Sequence, residues 1–148
     1  MANILSTDFT KRKSTTVRNL SELKSYSFDA RYVCDDTGNV FLIKKITSTN
    51  AGIYYNLKRM KPFITRDGYV EYVLTSSKGN KKHIQGHRIV AGLYLPTVKG
   101  KDYVNHKDGN RKNNKVSNLE YVTASENTIH SFTKLGKVVW NKGLTKNV

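Results

Sequence analysis

"VNHKDGNRKNNKVSNLEYVTASENTIH", residues 104–130, holds six asparagines and two histidines but no cysteine. Asparagine favours neither helix nor strand, so the stretch is either an ordinary polar loop or a place where amide side chains serve as ligands and braces. Its flanks are regular. "KDYVNH" and "LEYVT" read as two short strands separated by a polar loop of about a dozen residues. "TASENTIHSFTKLG" reads as a helix over about 124–135, because Thr123 and Glu126 form a capping box and Gly136 suits a left-handed C-terminal residue. At about 100° per residue, Ile129, Phe132 and Leu135 share one side, which is expected to pack, while Asn127, His130 and Lys134 lie nearly opposite. The order is strand, loop, strand, helix, with Asn105 and His106 leaving the first strand and Asn127 in the first helical turn.

Upstream, "HRIVAGLYL" is a short apolar segment stopped by Pro96, with Ile89, Val90 and Leu93 at helical spacing; it predicts a buried helix after Gly86. Two hairpins precede it. In "RYVCDDTGNVFLIKK", two apolar runs flank Asp-Thr-Gly-Asn. In "DGYVEYVLTSSKGNKKHIQG", Val70, Tyr72 and Leu74 alternate with more polar neighbours and Lys78-Gly79-Asn80 supplies the turn, so this strand is expected to be half buried. Residues 1–25 are polar and basic without apolar periodicity, which predicts a flexible, loosely docked arm. The fold class is α+β, built from small antiparallel hairpins.

Charge points to a partner. Lys and Arg number 26 against 11 Asp and Glu, a net charge of +15 in 148 residues. The basic residues recur in every segment, as in "KRKSTTVR", "NLKRMK", "HKDGNRKNNK" and "KVVWNKGLTK". That distribution suits a long track of phosphate contacts on nucleic acid. The single Cys34 excludes an intrachain disulfide and a cysteine-cluster zinc site and suits a reducing compartment. The start lacks an export signal, and no run approaches a membrane span. The expectation is a cytoplasmic protein with no membrane partner and no small-molecule cofactor.

Taken together, "HRIVAGLYL…YVNHKDGNRKNNKVSNLEYVTASEN" closely resembles phage-type HNH homing endonucleases, whose catalytic unit is a ββα-metal finger. "LKRMKPFITRDGYVEYVL…HIQGHR" resembles the DNA-binding module that often precedes it. The resemblance implies a hairpin-rich DNA-binding region over 26–85, an HNH nuclease domain over 86–136 and a basic tail over 137–148, where "VVWNKGLT" resembles short DNA-binding tails. It also implies the partner, double-stranded DNA. By the same resemblance His106 is the general base, Asn118 the middle asparagine that bonds across the loop and orients it, and Asn127 a metal ligand on the helix. Asn105 matches a second ligand position that is often Asp or His, so a neutral amide here implies a weaker hold on the metal. His130, one turn beyond Asn127, is a further candidate ligand or phosphate donor. Asn110, Asn113 and Asn114 are expected to serve turns, His87 to be structural and His83 a plain strand residue.

The chemistry accounts for these residue types. Phosphodiester hydrolysis requires a base that titrates near neutrality and a hard divalent cation against the charge on the phosphorane and the departing 3′ oxygen. Oxygen ligands suit one Mg²⁺ or Mn²⁺. Lys107, Arg111, Lys112 and Lys115 are candidate phosphate contacts beside the site, with Arg88 a further DNA candidate. Tyr54, Lys58, Arg59 and Arg66 are candidates for a distal DNA surface. Two other readings stay open, a catalytically degenerate HNH-like regulator and a structural DNA-binding protein. "GIYY" at 52–55 has no matching second half of a GIY-YIG signature, and "DGNRKNN" lacks the carboxylates of a calcium loop.

Overall fold

Turn chemistry sets the strand pairings. In the computed structural model, which describes residues 2–4 and 15–133, Asp35 turns the chain between β3 (Tyr32–Asp35) and β4 (Val40–Thr49). Its Oδ1 accepts hydrogen bonds from the Thr37 and Asn39 amides at 3.0 and 2.8 Å, and Gly38 takes the left-handed φ of +93° that the reversal needs. β4 runs on into β5 (Gly52–Arg59), and β2 (Thr15–Asn19) and β1 (Ala2–Ile4) add on the other side. The result is one antiparallel sheet in the order β1-β2-β3-β4-β5.

The second expected hairpin is β7 (Val70–Thr75) with β8 (Lys81–Gln85), joined by β6 (Phe63–Ile64) in a three-stranded sheet. β8 passes directly into helix α1 (Gly86–Tyr94). A two-stranded sheet of β9 (Tyr103–His106) and β10 (Leu119–Val122) and helix α2 (Ala124–Thr133) complete the described chain.

One hydrophobic core joins these parts. Cys34 and Val40 from the first sheet, Tyr72, Leu74 and Ile84 from the second, Ile89, Val90 and Leu93 from α1 and Leu119 from β10 pack in a single cluster. Each such side chain contributes roughly 1.5–3 kcal/mol by leaving water. The alternation expected for β7 holds, with Tyr72 and Leu74 buried and Val70 half-buried. Since the core crosses residue 86, the hairpin region and the finger brace each other.

Two expectations are corrected. Residues 15–25 are not a loosely docked arm: they form β2 and two short 3-10 turns, with Leu20 and Leu23 buried in the common core. Leu23 lies so close to α1 that a Cβ at Gly92 would sit 2.5 Å from its Cδ2. The polar composition concealed two leucines that suffice to dock the segment. Residues 1 and 5–14 of the expected arm lie outside the described residues. The second correction concerns α2, whose capping box forms as expected, Thr123 N–H donating to Glu126 Oε2 at 2.8 Å and Glu126 N–H to Thr123 Oγ1 at 3.1 Å. Its orientation is the reverse of the expected one. Ile129 and Phe132 are 58% and 42% exposed, while Asn127, His130 and Ser131 are partly buried. A helical wheel groups residues by side without saying which side meets protein, and here the neighbour is a polar cleft. Lys134, Leu135, Gly136 and the tail 137–148 lie outside the described residues.

Candidate active site

Residues at the end of β9 enter a small cleft of about 110 Å³ lined by Tyr69, Asn105, His106, Arg111, Asn127 and Ser131, among others. Strand, loop and helix thus bring together the proposed base and the two proposed ligands that lie 21–22 positions apart in the chain. Successive residues of β9 point to opposite faces, yet Asn105 and His106 are both 5% exposed. One is covered from β10 and the other from α1.

His106 is held among aromatic rings. His87 lies edge-on to it with centroids 5.0 Å apart, and Tyr69 is tilted against it at 6.2 Å. Burial pushes the His106 pKa below its ordinary value, with hydrogen bonding to Asn114 and the charge of Asp108 opposing and the charge of Arg111 assisting. Burial, with lesser help from His106 and Arg88, lowers His87 to about 3, which favours the neutral ring at neutral pH.

The asparagine-rich loop is a network. Asn118 Nδ2 donates to Asp108 Oδ1 and to the Asn113 carbonyl, both at 2.9 Å, and Asn118 Oδ1 accepts from the Asp108 amide at 3.1 Å. Asn113 Nδ2 donates to Asp108 Oδ2 at 2.8 Å, and Asn110 Oδ1 accepts from the Lys112 amide at 3.0 Å. Asn118 therefore bonds across the loop, but its side-chain hydrogen bonds go to Asp108 and Asn113 and not to the histidine. That contact belongs to Asn114, which is 4% exposed and whose Oδ1 lies 2.9 Å from His106 Nε2. The expectation that Asn114 merely serves a turn is corrected, whereas Asn110 and Asn113 do serve turns. The role of Asp108 and the buried contact of Asn114 escaped the sequence reading; a buried amide in a loop has no local signature.

Asn105 Nδ2 donates to Glu120 Oε1 at 2.9 Å across the β9–β10 pair, where the two residues are in register. The amide nitrogen being taken, the oxygen is the atom left to meet a ligand. Among the described residues no three His, Cys, Asp or Glu side chains gather as a metal cluster. The cleft is lined instead by Asn105 and Asn127, whose amide groups carry hard neutral oxygens of the kind that Mg²⁺ or Mn²⁺ accepts when substrate phosphate and water complete the shell. The residues present fit such an ion, with Glu120 supplying negative charge one bond behind Asn105. His130 does not join them: its Nε2 lies 3.1 Å from the Lys107 carbonyl, which it meets as a donor, and it does not line the cleft.

The basic candidates divide. Arg111 rims the cleft, its guanidinium 4.8 Å from the Tyr69 ring centroid and bonded to the Asp67 carbonyl. Lys107, Lys112 and Lys115 are exposed on the same loop. Arg66 is exposed in the turn that Arg111 reaches, so it belongs with the cleft rather than with a distal surface. Arg88 lines a separate cavity of about 450 Å³ with Lys24, Lys101 and Tyr121. The β4–β5 ribbon carries Tyr54 and Lys58 on one face. Register puts Lys45, Thr47 and Asn56 beside them, Lys45 opposite Asn56 and Thr47 opposite Tyr54. Arg59 points the other way and donates to Asn39 Oδ1 at 2.6 Å. "GIYY" is simply the start of β5. Among the described residues no helix is long and apolar enough to cross a membrane.

Comparison with known proteins points to the HNH endonucleases. Residues 85–129 match the family model for an HNH endonuclease. The chain is 41% identical over 92 residues to YosQ, described as an SPbeta prophage-derived HNH homing endonuclease of Bacillus subtilis (strain 168), covering 62% of this chain and 53% of YosQ. It is 31% identical over 113 residues to the DNA endonuclease I-HmuI of Bacillus phage SP01, covering 76% of this chain and 57% of that one. The solved structure of I-HmuI, reported for DNA binding and cleavage by that HNH homing endonuclease, aligns with a TM-score of 0.65 at 29% identity over 88% of this chain and 66% of its own. The chain thus spans little more than half the length of these two relatives. Within that span, residues 85–129 match the HNH endonuclease family model, and the α+β chain around them is similar in sequence and fold to phage-type HNH homing endonucleases.

Proposed function

We propose that this protein binds duplex DNA and hydrolyses its phosphodiester bonds, with His106 as general base and one divalent cation held by Asn105 and Asn127. The observation that carries the reading is the convergence of these three side chains in one cleft beside Arg111. Burial lowers the His106 pKa, which keeps the imidazole in its proton-accepting form at neutral pH. His106 takes a proton from water, the water oxygen forms its bond to phosphorus, and the bond to the 3′ oxygen breaks, that oxygen taking a proton from solvent, which leaves 5′-phosphate and 3′-hydroxyl ends. When bound, Mg²⁺ or Mn²⁺ supplies Lewis-acid stabilisation of the developing charge. Arg111, stacked on Tyr69, is poised to meet a phosphate oxygen, and Lys107, Lys112 and Lys115 extend the positive rim.

The β4–β5 ribbon supplies the second contact region. Its polar face presents Lys45, Thr47, Tyr54, Asn56 and Lys58, and a two-stranded ribbon fits the major groove of B-form DNA. The decisive experiment incubates supercoiled plasmid with the protein and Mg²⁺ or Mn²⁺, with and without EDTA. Relaxed or linear product that EDTA abolishes supports the nuclease; retarded but intact plasmid under every condition supports a degenerate regulator or a structural DNA-binding protein instead.

A further inference from the structure

The cavity of about 450 Å³ beside Arg88 carries side chains that the cleft chemistry does not use. It opens between the 3-10 turns over Leu20–Glu22 and Lys24–Tyr26, α1 and the loop that leads into β9, and Val104 lines both it and the cleft. Three cations line it, Lys24, Arg88 and Lys101, together with the carboxylates of Glu22 and Asp102. Neighbours outside the cavity engage two of these charges. Glu22 pairs with Arg18, and Lys101 pairs with Glu126 at 3.0 Å. No ion pair among the described residues engages Lys24, Arg88 or Asp102. Two cations from different elements and one carboxylate therefore remain to meet a ligand. Aromatic rings complete the wall. Tyr26 is stacked on the buried Phe28 with centroids 5.9 Å apart, which fixes its ring. Burial pushes the Tyr121 phenol up, and the nearby Arg88 charge opposes it.

We propose that this cavity binds one nucleotide, with its phosphate between Lys24 and Arg88, its base against the tyrosine rings and an amino group of that base donating to Asp102. The volume lies within the range of small-ligand pockets. A phosphate answers the two unpaired cations with charge-assisted hydrogen bonds. A carboxylate repels bare phosphate but accepts from an exocyclic amine such as that of cytosine, and a tyrosine ring offers any base a stacking face. Inorganic phosphate uses the cations alone; a nucleotide uses every group. Two sources present this chemistry, a free nucleoside monophosphate and an unpaired nucleotide of a DNA strand engaged at the cleft, on the far side of Val104. The site is separate from the cleft and does not depend on hydrolysis there.

The test uses the full chain in EDTA at low salt, so that neither metal nor cleavage contributes. Calorimetry with dCMP, dTMP and inorganic phosphate reads the free nucleotide. Competition among duplexes carrying one unpaired cytidine, one unpaired thymidine or no unpaired base reads the nucleotide in a strand. In at least one readout cytidine should be preferred over thymidine by about tenfold, the worth of one charge-assisted hydrogen bond. Arg88→Ala and Lys24→Ala should each weaken cytidine binding by about tenfold on the same ground; both side chains are exposed, so neither change disturbs the core. Asp102→Ala should abolish the preference for cytidine without weakening inorganic phosphate. A preference for dCMP alone identifies a free nucleotide as the occupant; a preference for the unpaired cytidine identifies a nucleotide of DNA. Cytidine preference in neither readout, or a preference that survives both Arg88→Ala and Lys24→Ala, overturns the proposal. So does loss of dCMP binding in Arg111→Ala with retention in Arg88→Ala, which places the nucleotide in the cleft. The plasmid assay, run with metal, decides the nuclease reading separately.

Discussion

Asn105 and Glu120 face each other across β9 and β10, the amide nitrogen of one 2.9 Å from the carboxylate of the other. On the proposed reading, this pair is what lets a neutral amide serve at a ligand position. Glu120 holds the amide by its nitrogen, which leaves the oxygen as the atom available to a ligand, with a carboxylate bonded to the same amide group.

The first prediction follows from that pair. Asn105→Leu removes the ligand oxygen and should need far more Mg²⁺ or Mn²⁺ for half-maximal cleavage. Asn105→Asp restores a charged ligand but sets two carboxylates at hydrogen-bond distance, where one is driven to protonate. The double change Asn105→Asp with Glu120→Gln relieves the clash and should lower the metal requirement below the parent's. Titrating metal near pH 8 for all three decides the matter. Identical curves would show that Asn105 is no ligand.

His106→Ala should abolish cleavage and leave DNA affinity within a few fold, since a general base acts on the transition state more than on binding. Equal losses in a binding assay and a cleavage assay would assign His106 to phosphate contact or to folding instead.

DNA affinity should fall by about 10³- to 10⁵-fold between 50 and 200 mM salt if 6–10 phosphates are neutralised. Lys45→Ala and Lys58→Ala, on the exposed polar face of the ribbon, should each reduce the slope of log K against log salt by about 1. Arg59→Ala should change it less, because that guanidinium is bonded to Asn39 on the opposite face. If Arg59→Ala has the larger effect, the wrong face of the ribbon has been assigned to DNA.

Stability should carry the mark of His87. Its pKa in the folded protein, about 3, lies below the ordinary 6.5, so the unfolded chain takes up a proton that the native protein refuses. The native state is therefore fully stable above pH 6.5 and loses stability as pH falls from 6.5 towards 3, by about 2 kcal/mol at pH 5. His87→Phe keeps a ring against Tyr69 and His106 but cannot titrate. Urea unfolding at pH 7 and pH 5 should show the parent losing that much more than the variant; equal losses would mean that His87 is protonated in place.

What the sequence alone determined is the local order of this protein. The two hairpins, α1, the β9–loop–β10–α2 succession and the Thr123–Glu126 capping box were legible because each is decided by residues a few positions apart, through turn geometry, side-chain period or a cap. The spacing of Asn105, His106, Asn118 and Asn127 was legible for the same reason, and with it the nuclease resemblance. Tertiary structure decided the rest. Composition hid the docking of Leu20 and Leu23, and the wheel of α2 grouped Ile129 with Phe132 but could not say that the polar side would face inward. Asn114 read as a turn residue because its partners, His106, Gly38 and Gly86, meet it only when three elements pack. Glu120 came to Asn105 only through strand register. A buried hydrogen bond between distant residues is fixed by the packing that excludes water around it, and that packing is a property of the assembled core, not of any short stretch of chain.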